Sequence, residues 1–100
     1  DERAELEKAE KQPKNRLWAM TTMCKSYIEF GFDSEHELPC TKQLAEEFPD
    51  DSEAMYLRAL TLYIVHDPAA AEFDARFRKL ADPSRPGNDG EIKQLDQFTK

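Results

Sequence analysis

The chain has 100 residues, of which 21 are acidic and 14 basic, so its formal net charge is −7. Its length fits one typical domain, and its three glycines and six prolines exclude collagen-like and low-complexity classes. The acidic excess repels phosphate backbones and anionic lipids, which makes nucleic acid and membrane surfaces poor partners. No run approaches the ~20 apolar residues that a membrane-spanning helix needs.

Residues 1–13 read as a charged N-terminal arm in which Leu6 is the only large apolar side chain. These are strong helix formers with nothing to pack against. The arm is therefore either a solvated helical extension or a segment that becomes ordered on a partner. Pro13 separates the arm from the rest of the chain, and we expect a single helical domain over residues 14–100.

The first helix of the domain is predicted to begin after Asn15, a favourable N-cap residue, and to stop at Gly31. Its apolar residues recur at the spacing of one helix face, and they are Leu17, Met20, Cys24, Tyr27 and Ile28.

The second helix is predicted to begin near Leu38, because Pro39 is tolerated in the first turn of a helix but not in the second. Residues 33–37 are then a turn, although Ser34 and Glu37 match the spacing of a capping box. The helix is expected to end at Pro49.

The third helix, about residues 52–66 and opened by Asp50 and Glu53, is apolar almost all the way round. A helix that is apolar on every side must be covered on every side, and the few other helices leave part of this surface for a second chain. We therefore predict a partner-binding surface on this helix, formed by Tyr56, Leu57, Leu60, Tyr63 and Ile64.

A fourth helix is predicted from Asp67 and Pro68 to Ala81, with three apolar side chains on one side: Phe73, Phe77 and Leu80. Its last turns and the loop after them carry the only basic cluster: Arg76, Arg78, Lys79 and Arg85. We interpret this cluster as charge compensation at a helix C-terminus, or as an anchor for an acidic patch on a partner.

A short fifth helix is predicted to begin at Asn88, which forms a capping box with Glu91, and to turn Ile92, Leu95 and Phe98 inward. No segment alternates apolar and polar residues as a half-buried strand does. The sequence thus predicts an all-α fold, a small single-domain helical bundle of four to five helices arranged as stacked antiparallel helical hairpins.

Cys24 and Cys40 are isolated thiols in a chain with enough apolar material to fold without a disulfide. We therefore expect reduced thiols and a cytoplasmic protein.

The sequence lacks a motif for chemistry. Asp33, Glu35 and Glu37 alternate like the start of a calcium loop, but Leu38 and Leu44 stand where its glycine and its bidentate glutamate are needed. The two cysteines and two histidines do not have zinc-ligand spacing, and there is no glycine-rich phosphate loop. We predict no catalytic residue, no metal and no cofactor, and hence a protein that is not an enzyme.

The chain also shows an internal spacing typical of a repeat. Pro49 and Pro83 follow similar segments, AEEFPDD and RKLADPS, and lie 34 residues apart, which is the tetratricopeptide period. Upstream of these prolines, Gly31 aligns with His66.

Residues 52–83 resemble a degenerate tetratricopeptide unit, with Ala59 and Ala71 at its small positions and Pro83 as its terminal proline. The resemblance extends over roughly residues 20–83 and departs from the family pattern at Ala75 and Arg78. It implies stacked helical hairpins and a role as a secretion or assembly chaperone that binds a partner helix.

A second resemblance, in length, acidic helical character and apolar central helix, is to small bacterial regulatory binders of the quorum-sensing anti-activator kind. It implies a protein that sequesters a transcription factor. Our first hypothesis is accordingly a non-catalytic regulatory module that sequesters a partner protein through its apolar helix. The chaperone is the alternative, and a homodimer through the same helix is a further association.

Overall fold

The computed structural model describes residues 15–29, 31–82 and 84–99. Within these ranges the chain forms five α-helices and no strand, so the all-α prediction of a small helical bundle is confirmed. The helices are α1 (Arg16–Glu29), α2 (Ser34–Glu47), α3 (Ser52–Ile64), α4 (Ala70–Leu80) and α5 (Pro86–Asp96). The charged arm over 1–13 and the repeat proline Pro83 lie outside the described residues.

The third helix is the centre of the bundle. α1 and α2 form one antiparallel hairpin, α3 and α4 form a second, and α3 packs against each of the other four helices. The largest fully buried apolar side chains come from α2, α3, α4 and α5, and they are Leu44, Met55, Leu62, Phe77 and Leu95. The all-round apolar pattern of α3 is explained by this position, because neighbouring helices cover it on most sides.

α2 begins at Ser34, four residues before the predicted start, so the prediction of a turn over 33–37 was wrong. Asp33 is its N-cap, and the Asp33 carboxylate accepts a hydrogen bond from the backbone N–H of His36 at 3.3 Å. Pro39 lies inside the helix and lacks the N–H that would bond to the carbonyl of Glu35. Glu35 is exposed, so water can satisfy that carbonyl at little cost.

α3 begins at Ser52, as predicted, but ends two residues earlier than predicted, at Ile64, and its cap differs. Asp51 rather than Asp50 is the N-cap, and its Oδ2 accepts the Ala54 N–H at 2.8 Å. Adjacent aspartates offer the same capping chemistry, and only the path of the chain selects one of them.

The start of α4 was predicted two residues too early, and that of α5 three residues too late. α4 begins at Ala70, and Asp67 instead accepts the Ala69 N–H at 2.8 Å within the preceding turn. α5 begins at Pro86, and the Oδ1 of Asn88 accepts the Asp82 N–H at 3.0 Å rather than capping the helix.

Left-handed residues follow α1 and α3. Gly31 has φ of +93°, as the predicted glycine stop requires, and His66 has φ of +60°. After α3, the Asp67 N–H donates to the Leu62 carbonyl at 2.8 Å and the His66 N–H donates to the Tyr63 carbonyl at 3.1 Å. This pair of bonds is a Schellman motif with histidine in the place usually taken by glycine.

A disulfide joins the first hairpin. Cys24 of α1 and Cys40 of α2 are bonded, with their Cα atoms 5.7 Å apart, so the prediction of reduced thiols was wrong. Cys24 lies on the apolar face of α1, which packs on α2. Because α2 begins early, Cys40 stands well inside that helix and meets Cys24 across the hairpin.

Candidate protein-binding groove

A groove runs along the contact between α1 and α3. One part, of about 360 Å³, is lined by Trp18 and Lys25 of α1 and by Glu53 of α3. The next part, of about 190 Å³, is lined by Lys25 and Ile28 together with Tyr56, Leu57 and Leu60 of α3. Lys25 borders both parts, so they form one continuous surface, which we call the α1–α3 groove.

Trp18 is the most exposed of the large apolar side chains in the described chain, at 60%. Trp18, Lys25 and Ile28 are spaced by seven and three residues, so they lie along one face of α1. Trp18 and Ile28 are ten residues apart, which corresponds to about 15 Å of helix, or about three turns.

An ion pair joins α1 to α3 in the first part of the groove. Lys25 Nζ lies 2.8 Å from Glu53 Oε1, and both side chains are substantially exposed. An exposed ion pair of this kind contributes about 0–1 kcal/mol to the stability of the fold. A bound segment of a partner can therefore displace it at small cost.

The rim on the α3 and α5 side is acidic. Burial raises the pKa of Glu91 of α5, and the nearby charges of Glu53 and Asp51 add to that effect. Burial also raises the pKa of Tyr56, and the charges of Glu91 and Glu53 contribute. Asp51 and Glu53 also line the first part of the groove, so its rim on this side carries acidic groups.

Three of the five predicted partner-binding residues lie in this groove. Leu57 and Leu60 are only 2% and 6% exposed and form its floor as part of the core. Tyr56 is half-buried, and its ring lies against that of Phe77, with centroids 5.7 Å apart. The surface that a partner could reach is therefore narrower than the sequence suggested.

The other two predicted residues lie elsewhere. The Tyr63 hydroxyl donates to Asp74 Oδ2 at 2.5 Å, and its ring stacks on Phe98 at 5.2 Å. Burial, followed by the hydrogen bond to Asp74, raises the pKa of Tyr63 to about 12. Ile64 packs against the core. The structure thus uses Tyr63 to join α3 to α4 and to the chain after α5.

Sequence reasoning missed the α1 side of the groove. Trp18 stands one residue away from Leu17 and therefore outside the apolar stripe of α1. A tryptophan on the polar side of an amphipathic helix was the available signal.

The predicted basic cluster is divided among several roles. Arg78 donates from Nε to Asp74 at 2.5 Å and from Nη2 to Asp96 at 2.7 Å, linking α4 to α5. Arg85 pairs with Asp82 at 4.0 Å. Arg76 instead lies over the ring of Phe73.

The described part of the chain offers neither a metal centre nor a membrane span. It contains no group of three or more His, Cys, Asp or Glu side chains that could hold a metal ion. Of the described helices, none is long and apolar enough to cross a membrane.

The described chain is thus a small all-α domain with one disulfide and with an apolar groove between two of its helices. Comparison with known proteins finds no matching family, no matching characterised protein and no matching solved structure.

Proposed function

We propose that the chain is a non-catalytic protein-binding module that sequesters a partner by holding one of its helical segments in the α1–α3 groove. The observation that carries this proposal is the exposed Trp18 beside a groove whose floor is formed by Leu57 and Leu60. Exposed aromatic side chains next to an apolar groove are typical anchors of protein interfaces.

The shape of the groove favours a helical partner segment. Its walls are two α-helices, whose backbone hydrogen bonds are made internally, and the described chain offers no strand edge for an extended peptide. A groove of about three helical turns accommodates apolar side chains spaced i, i+3 and i+7 on a partner helix.

The charge along the rim of the groove indicates which residues flank the apolar face of the partner helix. Asp51 and Glu53 line one side of the groove, the charge of Glu91 acts on Tyr56 beside them, and Lys25 is already paired with Glu53. We therefore expect the partner helix to carry lysine or arginine beside its apolar face, since complementary charge guides association and selects partners.

The disulfide bears on the class of partner. The expected cytoplasmic setting rested on reduced thiols, whereas disulfides persist mainly in oxidising compartments. This favours the chaperone-like alternative, with a secreted or assembling partner, over sequestration of a transcription factor in a reducing cytoplasm. In both proposals, the chaperone and the sequestering protein, the partner binds in the α1–α3 groove.

The test compares two substitutions of exposed apolar residues. Immobilised wild-type chain, Trp18→Ser and Leu80→Ser are each used for affinity capture from native extract, and the captured protein is identified and purified. Leu80, on α4, is 38% exposed and serves as the matched control. Wild type and Leu80→Ser should retain a stoichiometric partner, and Trp18→Ser should weaken its binding about tenfold or more.

Equal binding by Trp18→Ser and wild type would contradict the proposal, provided that circular dichroism shows the same helix content. Light scattering over a dilution series completes the test. A wild-type dimer that Trp18→Ser converts to a monomer would assign the groove to a second copy of the chain instead of a partner.

A further inference from the structure

A second cleft lies between α2 and α4, on the other side of α3 from the α1–α3 groove. It encloses about 300 Å³, and its charged lining consists of Lys42, Arg58 and Arg76 with one acid, Glu46. Arg58 is two residues from Tyr56 and Leu60, which places it about 200° from each of them around the helix. We call this site the cationic cleft.

Neither arginine of the cationic cleft has a carboxylate partner among the described residues. Arg16, Arg78 and Arg85, by contrast, each pair with an acid within 4.0 Å. Arg58 and Arg76 form no such pair in the described chain, although acids outnumber bases in the sequence by 21 to 14. Unpaired cations concentrated in one cleft of an acidic protein indicate a site for an external anion.

Arg58 is held rigidly in this position. Its Nη1 donates to the Leu38 carbonyl at 2.9 Å and to Thr41 Oγ1 at 3.2 Å. Its Nε is a buried donor without a hydrogen-bond partner in the described chain. A buried unpaired donor costs stability, and because Nε has no surface open to the cleft, a ligand contacts Arg58 through the rest of its guanidinium group.

Aromatic and apolar groups complete the cleft. The Cζ atoms of Arg58 and Arg76 lie 5.8 and 5.2 Å from the centroid of the Phe73 ring, which orients both guanidinium groups. Ala45 and Pro49 add apolar surface beside them. The cleft therefore combines oriented donors with space for an apolar side chain.

We infer that the cationic cleft binds an acidic peptide segment of a partner protein, whose carboxylates pair with Lys42, Arg58 and Arg76. A short peptide is favoured over nucleic acid because the Phe73 ring is already engaged by two guanidinium groups and because the net charge of −7 repels a long phosphate backbone more strongly than a peptide with a few carboxylates. Guanidinium groups pair with carboxylates and phosphates alike, so the choice of a peptide rests on the Phe73 ring and on the net charge.

Titration of the full-length protein with a fluorescein-labelled peptide of Glu and Leu, followed by fluorescence anisotropy, tests this inference. The same peptide with Gln in place of Glu is the ligand control. We expect saturable binding of the Glu peptide only, with an affinity that falls as salt is raised from about 50 to 200 mM.

The matched variants each remove two positive charges. Lys42→Gln with Arg76→Gln should weaken peptide binding about tenfold or more, whereas Lys79→Gln with Lys93→Gln should leave it within about twofold. Lys42 and Arg76 form no ion pair within the described chain, and Arg76 loses only its contact with the Phe73 ring, so their replacement should not unfold the protein, and circular dichroism checks this. Arg58 is left intact because of its hydrogen bonds to α2.

Three results would overturn the inference. The first is equal binding of the Gln peptide, and the second is unchanged affinity of the Lys42 and Arg76 variant. The third is displacement of the Glu peptide by inorganic phosphate or by a single-stranded RNA at lower concentration than by unlabelled peptide, which would assign the cleft to phosphate ligands. None of these results involves Trp18, so the proposed function is tested separately.

Discussion

At the scale of single residues, Glu37 is the least expected finding. Its side chain is 0% exposed, and neither carboxylate oxygen has a hydrogen-bond partner in the described chain. Burial, with a smaller contribution from the charge of Asp33, raises the pKa of Glu37 to about 8. The group is therefore held mainly in its neutral form at pH 7.

Replacing Glu37 by glutamine should remove a pH dependence of stability. The folded-state pKa lies above the unfolded value of 4.5, so the stability that the neutral carboxyl contributes is complete below pH 4.5, falls progressively above it and is fully lost once pH has risen through about 8. Glu37→Gln stays neutral at every pH, and at pH 7 it should exceed wild type by about 2–3 kcal/mol in the free energy of unfolding.

Urea titrations at a series of pH values between 4 and 9 check this. Glu35→Gln, the same change at an exposed position in the first turn of the same helix, is the control and should keep the wild-type profile. If Glu37→Gln loses stability with rising pH as steeply as wild type does, Glu37 is not the group responsible.

At the scale of helices, most of the fold follows from local patterns. The arrangement of apolar side chains indicated all five helices, as a stripe on one face or, in α3, all the way round, and Gly31 marked the end of the first. The starts were less predictable, because a cap depends on the path of the chain. Pro39 was assigned to a first turn on its own preference, whereas packing of α2 on α1 and α3 places it deeper in the helix.

The candidate groove was predictable only in part. The pattern of α3 identified Tyr56, Leu57 and Leu60 as important, but apolar periodicity does not distinguish a core position from an interface position. The disulfide depends on how two helices are set against each other, which no residue spacing along the chain reveals.

Reduction of the disulfide should weaken the first hairpin measurably. Cys24 and Cys40 are 16 residues apart, and the chain-entropy model gives about 3 kcal/mol for closing a loop of about that length. Thermal unfolding with and without dithiothreitol should show this loss in wild type. The variant with Cys24→Ala and Cys40→Ala should unfold at the same temperature in both buffers.

Equal stability of the oxidised and reduced wild-type protein would show that packing between α1 and α2 alone fixes the hairpin. A dithiothreitol effect in the double variant would instead mean that the reductant acts on the protein by another route. Ellman titration of the wild-type protein under denaturing conditions counts its thiols before and after reduction.

At the scale of the whole molecule, one helix connects all the others. α3 contacts α1, α2, α4 and α5, and it contributes more buried residues than any other described helix. Loss of packing on α3 therefore destabilises both hairpins and α5 together. We expect the bundle to unfold as one cooperative unit.

Truncation of Met55 tests this cooperativity. Met55 is fully buried in α3, and Met55→Ala should lower the free energy of unfolding by about 3 kcal/mol. Leu80→Ala, at an exposed site on α4, should lower the free energy of unfolding by less than about 1 kcal/mol. Urea unfolding followed by circular dichroism and by tryptophan fluorescence should give coincident curves for both variants; separate transitions would show that the hairpins unfold independently.

The central position of α3 also constrains how this protein can change in length over evolution. In a linear array of repeats, a unit added or deleted at one end leaves the remaining units with their neighbours intact. Here deletion of the second hairpin would remove α3 itself, and deletion of the first hairpin would remove two of the four helices that cover α3. We therefore expect inherited insertions and deletions to be confined to the loops, with the number of helices kept constant.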